Sequence, residues 1–452
     1  MFRLWYDAVR NETQEGVSMK FAVAGDMAVH RRIHKDSKGF AEVKEFLSQA
    51  DTKFVNLETT LHRGECYANQ FSGGSYLRAD PEVLEDVAEY GFNLLTFANN
   101  HSMDFDRGGL MATKKAIDDA KIVNAGAGAN LDEAASPAYL ETPDGRVALI
   151  AATSSMGTPA NVSLSAMAGK QSRRYPGRPG VNGLRVDEHL EVTKEQLETI
   201  LEISKLSKIN AQKDIERAEG YYPPLPEGTA VLKDLNFRVG EKTRHVTYVN
   251  KEDMARIEKA IYEAQMQADY ILISIHSHQI GGDSKEQPAD FLVEFAHQCI
   301  DMGAHAVIGH GPHLLRPIEI YKGRPIFYSL GDFVIHLENL AYAPEEMFAK
   351  QGMTSDDTLR DLYRDRSANY TRGLVRDRKM LEAVIPYFEM EDGKLTKLEL
   401  MPIELQMEEP VWKRGNPRFS KEHGIIERLA EMSAPYGTKI SIDSRGYGIV
   451  EF

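Results

Sequence analysis

The sequence predicts a layered α/β fold, and three observations carry the prediction. Short apolar runs recur along the chain, each ahead of a polar or charged stretch of helical character. Helix start and stop signals sit between those runs. Apolar residues make up 42% and charged residues 27% of 452 positions, enough for a sizeable core and outside the range of disordered, collagen-like or disulfide-scaffold chains. That length allows up to three units at about 150 residues each, or one α/β domain with insertions.

In chain order, FAVAGD (21–26), KFVNLE (53–58) and FNLLTFANN (92–100) read as buried strands. Asp80-Pro81 places a capping carboxylate before a proline in the first turn of a helix that runs through EVLEDVAEYG to a stop at Gly91. VALIAAT (147–153) is a further strand. From about 155 to 250 the character changes. A Gly-, Pro-, Ser- and Arg-rich stretch reads as a long loop, and residues 186–220 read as one long amphipathic helix with Leu190, Leu197, Ile200, Leu201, Ile203 and Leu206 on its apolar face. This region is expected to be an insertion, serving as a lid or dimer contact, or else a solvated surface helix. The α/β pattern resumes with a helix at 251–267, the strand YILISIH (270–276), a helix at 288–302 and the strand AHAVIGH (304–310). RPIEIYK and RPIFYSLGDFVI follow as strands joined at Gly323. Residues 340–378 read as a polar helical insertion and 379–406 as a hairpin turning at Asp392-Gly393.

Charge and cysteine content narrow the function classes. Lys and Arg number 54 against 68 Asp and Glu, a formal net charge of −14 spread along the chain, which disfavours nucleic acid as a partner. Cys66 and Cys299 lie far apart without CxxC spacing, so a zinc finger or disulfide framework has no support and a reducing compartment fits. The N-terminal MFRLWYDAVRNETQEG lacks the apolar run of a signal peptide, and no segment reaches the roughly 18 apolar residues of a membrane span. The expected location is the cytoplasm.

The informative pattern is positional. Asp26, Asn56 with Glu58, Asn99 with Asn100 and His101, His276 with His278, and His310 with His313 all close apolar runs. In α/β sheets, ligands bind beyond the carboxyl ends of strands. Any one of these residues fits a turn, a helix cap or a satisfied core histidine; five strand ends together point to a site. Carboxylate, amide oxygen and imidazole without thiolate suit Mn²⁺, Fe²⁺ or Zn²⁺. Six or seven such groups are too many for one ion and suit two that share a carboxylate.

The chain resembles the CapA-type poly-γ-glutamate capsule-synthesis proteins, a branch of the calcineurin-like metallophosphoesterase superfamily. The resemblance rests on GDM (25–27), FVNLET (54–59), FANNHSMDFDRGGL (97–110), the strand-end His276, GAHAVIGHGPH (303–313), YKGRPIFYSLGDFVI (321–335) and the tail RGNPRFSKEHGIIERLAEMSAPYGTKI. It covers most of the chain apart from 155–250 and 340–378. It implies a single domain over 18–452, a four-layer α/β/β/α sandwich, and two divalent metal ions, Mn, Fe or Zn. By motif, Asp26 ligates one ion, Glu58 stands in for a bridging aspartate, Asn100, His276 and His310 hold the second ion, and His313 returns to the first. His101 matches the histidine that contacts substrate, with Asp104 either orienting it or capping the helix near Arg107.

This chain also departs from the pattern. Ala28 occupies the usual ligand-histidine position, with His30 two residues on as an alternative. The sequence His276-Ser277-His278-Gln279-Ile280 replaces HWGxE, so the acid is missing and His278 is added. Arg316 stands where glutamine is common, and Asp332 where SLGNF has asparagine. Substrate contacts are expected at Asn56, His278 and the cationic loop Arg173, Arg174 and Arg178, with solvation of that loop the alternative. The implied activity is metal-dependent hydrolysis of a phosphoester or related bond. Amide hydrolysis or epimerisation of a peptide or glutamyl substrate is an alternative, as is a non-catalytic role in capsule assembly, and homo-oligomerisation stays open.

Overall fold

In the computed structural model, described for residues 18–33, 35–156, 164–336, 340, 342–369, 371–410 and 413–452, period-two burial sorts the strands into two facing sheets. The strands that position the site are β1 (Met19–Ala28), β2 (Thr52–Leu57), β3 (Leu94–Thr96), β4 (Val123–Ala125), β5 (Gly145–Thr153), β6 (Tyr270–His276), β7 (Ala306–His310), β8 (Asp332–Ile335), β9 (Glu382–Glu391) and β10 (Lys394–Glu404). One sheet runs β10-β9-β1-β2-β3-β4, with β8 also parallel to β1 and a C-terminal strand pair beyond β10. The other centres on the parallel strands β5-β6-β7.

Alternate residues feed different layers. Phe21, Val23 and Phe54 pack with Leu149, Leu272 and Ile308 between the sheets. Ala22, Ala24 and Val55 face outward onto Val43, Val87 and Leu110 of covering helices. On the far side Ile271, Ile273 and Ile275 pack against Ile257, Phe291 and Phe295 of the helices Lys251–Gln265 and Asp290–Asp301. The result is the α/β/β/α sandwich that the family resemblance implies. Each buried apolar side chain contributes about 1.5–3 kcal/mol, so the three clusters hold the layers together.

The insertion differs from the expected single long helix. Residues Val186–Val192 form a strand that pairs antiparallel with Arg244–Val249 and parallel with Leu235–Val239, in a four-stranded sheet. The helix starts only at Lys194, where Thr193 and Gln196 exchange a reciprocal capping box. It stops at Lys208, whose φ of 55° is left-handed, and a second helix covers Ala211–Ala218. Leu190 therefore belongs to a strand, Leu197 is buried in a small cluster with Val192, Ala230 and Phe237, and Leu201, Ile203 and Leu206 are exposed.

One smaller reading also changes. The helix after Pro81 begins at Val83, and Asp80 meets it through its carbonyl while its carboxylate pairs with Arg78 at 3.2 Å, leaving the cap without a side-chain bond. Residues 340–378 hold short helices, Glu345–Ala349 and Leu359–Arg366, with turns between. Residues 157–163 of the long loop and the N-terminal residues 1–17 lie outside the described residues. Among the described residues no helix is long and apolar enough to cross a membrane.

Candidate metal centre

Strand parity explains why polar side chains from both sheets meet. His276 shares the inter-sheet face with Leu272 and Ser274, and His310 shares it with Ala306 and Ile308. Asn56 and Glu58 continue the face of Phe54. Asp26 would fall on the other face, with Ala22 and Ala24, but for an irregularity. Val23 pairs with Phe54 and Asp26 with Asn56, so three steps on β1 oppose two on β2. That bulge turns Asp26 inward. Gly25 permits it, since a Cβ there would lie 1.9 Å from the Gly331 carbonyl oxygen.

The groups converge closely. Asp26, His276 and His310 bring their ligand atoms within 4.8 Å of one another, as do Asp26, Glu58, His313 and Asp332, and Glu58, His276 and His278. His276 Nδ1 and His310 Nδ1 are 2.9 Å apart, and Asp26 Oδ1 lies 3.4 Å from the His310 nitrogen. Asp26 accepts from the Gly311 N–H at 2.7 Å and from Asn56 Nδ2 at 2.6 Å. Asn56 in turn accepts from Asn99 Nδ2 at 3.1 Å, so both asparagines brace the carboxylate from wholly buried positions. His310 is held from behind by Ser274 Oγ at 2.8 Å. His313 Nδ1 sits 2.8 Å from Asp332 Oδ1, on a backbone with φ of 58°.

Charge and burial are at odds here. Three carboxylates, Asp26, Glu58 and Asp332, are each no more than 1% exposed. Burial pushes the Glu58 carboxyl well above the usual range, and the Asp26 charge adds to the rise. Burial alone would raise Asp26 too, but its hydrogen bond with His310 and the charges of His276, His310 and His313 hold it below the ordinary range. Asp332 is pushed up to about 6 by burial against the pull of His313. Burial opposes the charge on His313, yet Asp332 and Glu58 raise it to about 10. Burial, and then the His313 charge, press His278 down to about 3.

The orphaned atoms test whether metal fits. Both oxygens of Glu58, Oδ1 of Asn100 and Oδ2 of Asp332 are buried without a hydrogen-bond partner. Buried acceptors and buried charges are ordinarily paired or bound to metal. A set of carboxylate, amide oxygen and imidazole that leaves acceptors unpaired at its centre suits hard to borderline divalent cations.

Most other expected residues gather at the same place. His101 Nδ1 bonds Asp104 Oδ2 at 2.7 Å, and its Nε2 faces Glu58 Oε1 at 3.9 Å. Asp104 also accepts from the Gly73 and Leu77 N–H groups and does not cap the helix that starts at Asp106. Asn100, His101, His278 and His313 line an open cavity of about 260 Å³. His30 is buried nearby but belongs to none of the converging groups. Arg173, Arg174 and Arg178 are exposed and do not line the cavity. Arg316 is fully buried, donating to the carbonyls of Lys285, Ser277 and Gln279, and so fixes the loop after β6. Sequence reasoning marked Asp332 only as a departure and missed its place among the converging carboxylates, which its register opposite Asp26 sets.

Fold and site together define a two-sheet α/β sandwich of the calcineurin-like type with a carboxylate–imidazole cluster at its strand ends. The chain belongs to the bacterial capsule synthesis protein PGA_cap family, whose profile matches residues 20–337. It is 32% identical over 436 residues to the uncharacterized protein y4sH of Sinorhizobium fredii, covering 93% of this chain and 90% of that one. It is 22% identical over 328 residues to the capsule biosynthesis protein CapA of Bacillus anthracis, covering 71% of this chain and 61% of the relative. A probable polyglutamine synthesis accessory protein of Mycobacterium tuberculosis, Rv0574c, is 26% identical over 292 residues, 64% of this chain and 57% of its own length.

Proposed function

We propose that this chain is a divalent-metal-dependent hydrolase of a phosphoester or related bond, serving capsule or polyglutamate synthesis as the names of its relatives suggest. The observation that carries the reading is Glu58, fully buried with both oxygens unpaired amid Asp26, His276, His313 and Asp332. Asp26, His276 and His310 would hold one ion and Asp26, Glu58, His313 and Asp332 the other, with Asn100 Oδ1 as a further unpaired buried ligand oxygen. When bound, such ions polarise the scissile group and lower the pKa of water.

The remaining work falls to the chain's own residues. Asp104 accepts the Nδ1–H of His101 and so fixes its tautomer, leaving Nε2 directed at the cluster. Protonated at Nε2 as well, His101 would hand that proton to the leaving oxygen or stabilise its charge, with Asp104 balancing the imidazolium. Asn56 and Asn99 keep the Asp26 carboxylate in place, and Ser274 does the same for His310.

Turnover of p-nitrophenyl phosphate with added Mn²⁺ tests the reading. Glu58→Gln and His276→Ala are expected to lose at least about 100-fold in kcat while keeping a folded circular-dichroism spectrum. Wild-type turnover in either variant would overturn the assignment. Bound metal without phosphoester turnover would direct the search to glutamyl amide bonds.

A further inference from the structure

The cavity above the cluster has a charge pattern that the chain as a whole lacks. In a protein of net charge −14, no Asp or Glu is among the described residues that line it. Its lining includes His101, His278 and His313, and from another segment Arg366 and Arg372. That segment follows Leu359, beyond the residues matched by the family profile.

Two arginines close by in sequence are neutralised. Arg364 meets Asp361 at 3.0 Å and Arg378 meets Glu382 at 2.8 Å. Arg366, by contrast, donates to the neutral Ser75 Oγ at 2.6 Å, and the Arg372 guanidinium has no hydrogen-bond or ion-pair partner among the described residues. The segment is anchored, because Leu362 and Tyr363 pack with Tyr76, Leu77 and Phe105 in one apolar cluster. Arg366 and Arg372 are exposed and line one cavity without a carboxylate partner among the described residues, so an anion there meets two cations and no competing acid. Guanidinium forks match the oxygens of carboxylate and phosphate, often in pairs of parallel bonds.

We propose that Arg366 and Arg372 form an oxyanion subsite, so that the substrate is a small molecule with an anionic group besides the one that reacts. This deepens the hydrolase reading and takes its reacting centre from it. The specificity-bearing arginines are then those of the 359–374 segment and not Arg173, Arg174 and Arg178.

Titration calorimetry on the full metal-loaded chain tests the subsite, with glutarate and inorganic phosphate as separate probes. Wild type is expected to bind at least one of them, and the probe it prefers distinguishes a carboxylate from a phosphate source. Arg366→Ala with Arg372→Ala is expected to weaken that binding by about tenfold or more. Arg372→Ala alone, which removes no side-chain hydrogen bond or ion pair among the described residues, is expected to weaken it by about threefold or more. Arg173→Ala with Arg174→Ala is expected to leave it unchanged. Wild-type affinity in the double variant, or no binding of either probe to wild type, would overturn the proposal. Loss of metal from the double variant would overturn it too, since the arginines would then be supporting the centre. Turnover of p-nitrophenyl phosphate is recorded separately, so a chain that binds the probe but turns over nothing defeats the hydrolase reading and leaves the subsite standing.

Discussion

His101 and Asp104 illustrate how much one short bond decides. A carboxylate 2.7 Å from Nδ1 keeps the proton on that nitrogen and makes Nε2 the one free to act. Asp104→Asn should therefore lower kcat by roughly 100-fold or more and displace the pH profile, with KM little changed, because the amide supports the wrong tautomer. An unchanged pH profile would reduce Asp104 to a loop anchor for the Gly73 and Leu77 N–H groups. At this scale the strand-end residues were legible in the sequence, since each closes an apolar run. Asn56 was legible only in part. Its place at a strand end was plain, but its bond to Asp26 depends on a bulge in the neighbouring strand that no linear pattern displays. Arg366 and Arg372 were hidden for a like reason, because the chain reaches the cavity wall only through the apolar contacts of Leu362 and Tyr363.

At the scale of elements, the bulge in β1 is the feature on which the centre depends. Gly25→Ala would drive a Cβ into the Gly331 carbonyl, whose oxygen accepts the Asp26 N–H at 3.1 Å. The expected cost is about 3 kcal/mol or more in denaturant unfolding, with loss of bound metal. Wild-type stability in that variant would show that β1 and β8 are not locked as described. The insertion makes the opposite prediction. Asn250 N–H donates to the Arg185 carbonyl at 2.9 Å, and the sheet between them has its own small cluster. Replacing residues 187–248 by a short glycine linker should keep metal content and cost only a few kcal/mol, as read by thermal unfolding. Metal loss in the shortened chain would tie the insertion to the site. The insertion is where the sequence misled. VDEHLEV carries its apolar residues at spacings that fit a helix as well as a strand, and its pairing partners lie more than 40 residues away.

For the whole molecule, buried histidines outside the centre contribute to the response to acid. Burial, helped by the Arg31 and His101 charges, presses His30 down to about 3, and burial holds His336 well below its ordinary value. An unfolded histidine takes up a proton near pH 6.5. The stability tied to these groups is therefore fully present above about pH 6.5 and is lost as pH falls toward about 3. Unfolding free energy should drop by a few kcal/mol between about pH 7 and about pH 4, and His30→Phe should make that drop smaller. An identical drop in the variant would place the acid sensitivity elsewhere. The layered architecture itself was legible throughout, because alternation of apolar runs with helices survives whatever the loops do.

The proposed function requires the buried carboxylates and imidazoles at the strand ends to form a two-metal centre. Elemental analysis of the chain purified without chelator, beside Glu58→Gln, tests it most directly. The account predicts close to two divalent ions per wild-type chain and about one or fewer in the variant. A folded wild-type chain that retains no ion when supplied with Mn²⁺, Fe²⁺ and Zn²⁺, or a variant that retains the full complement, would contradict it.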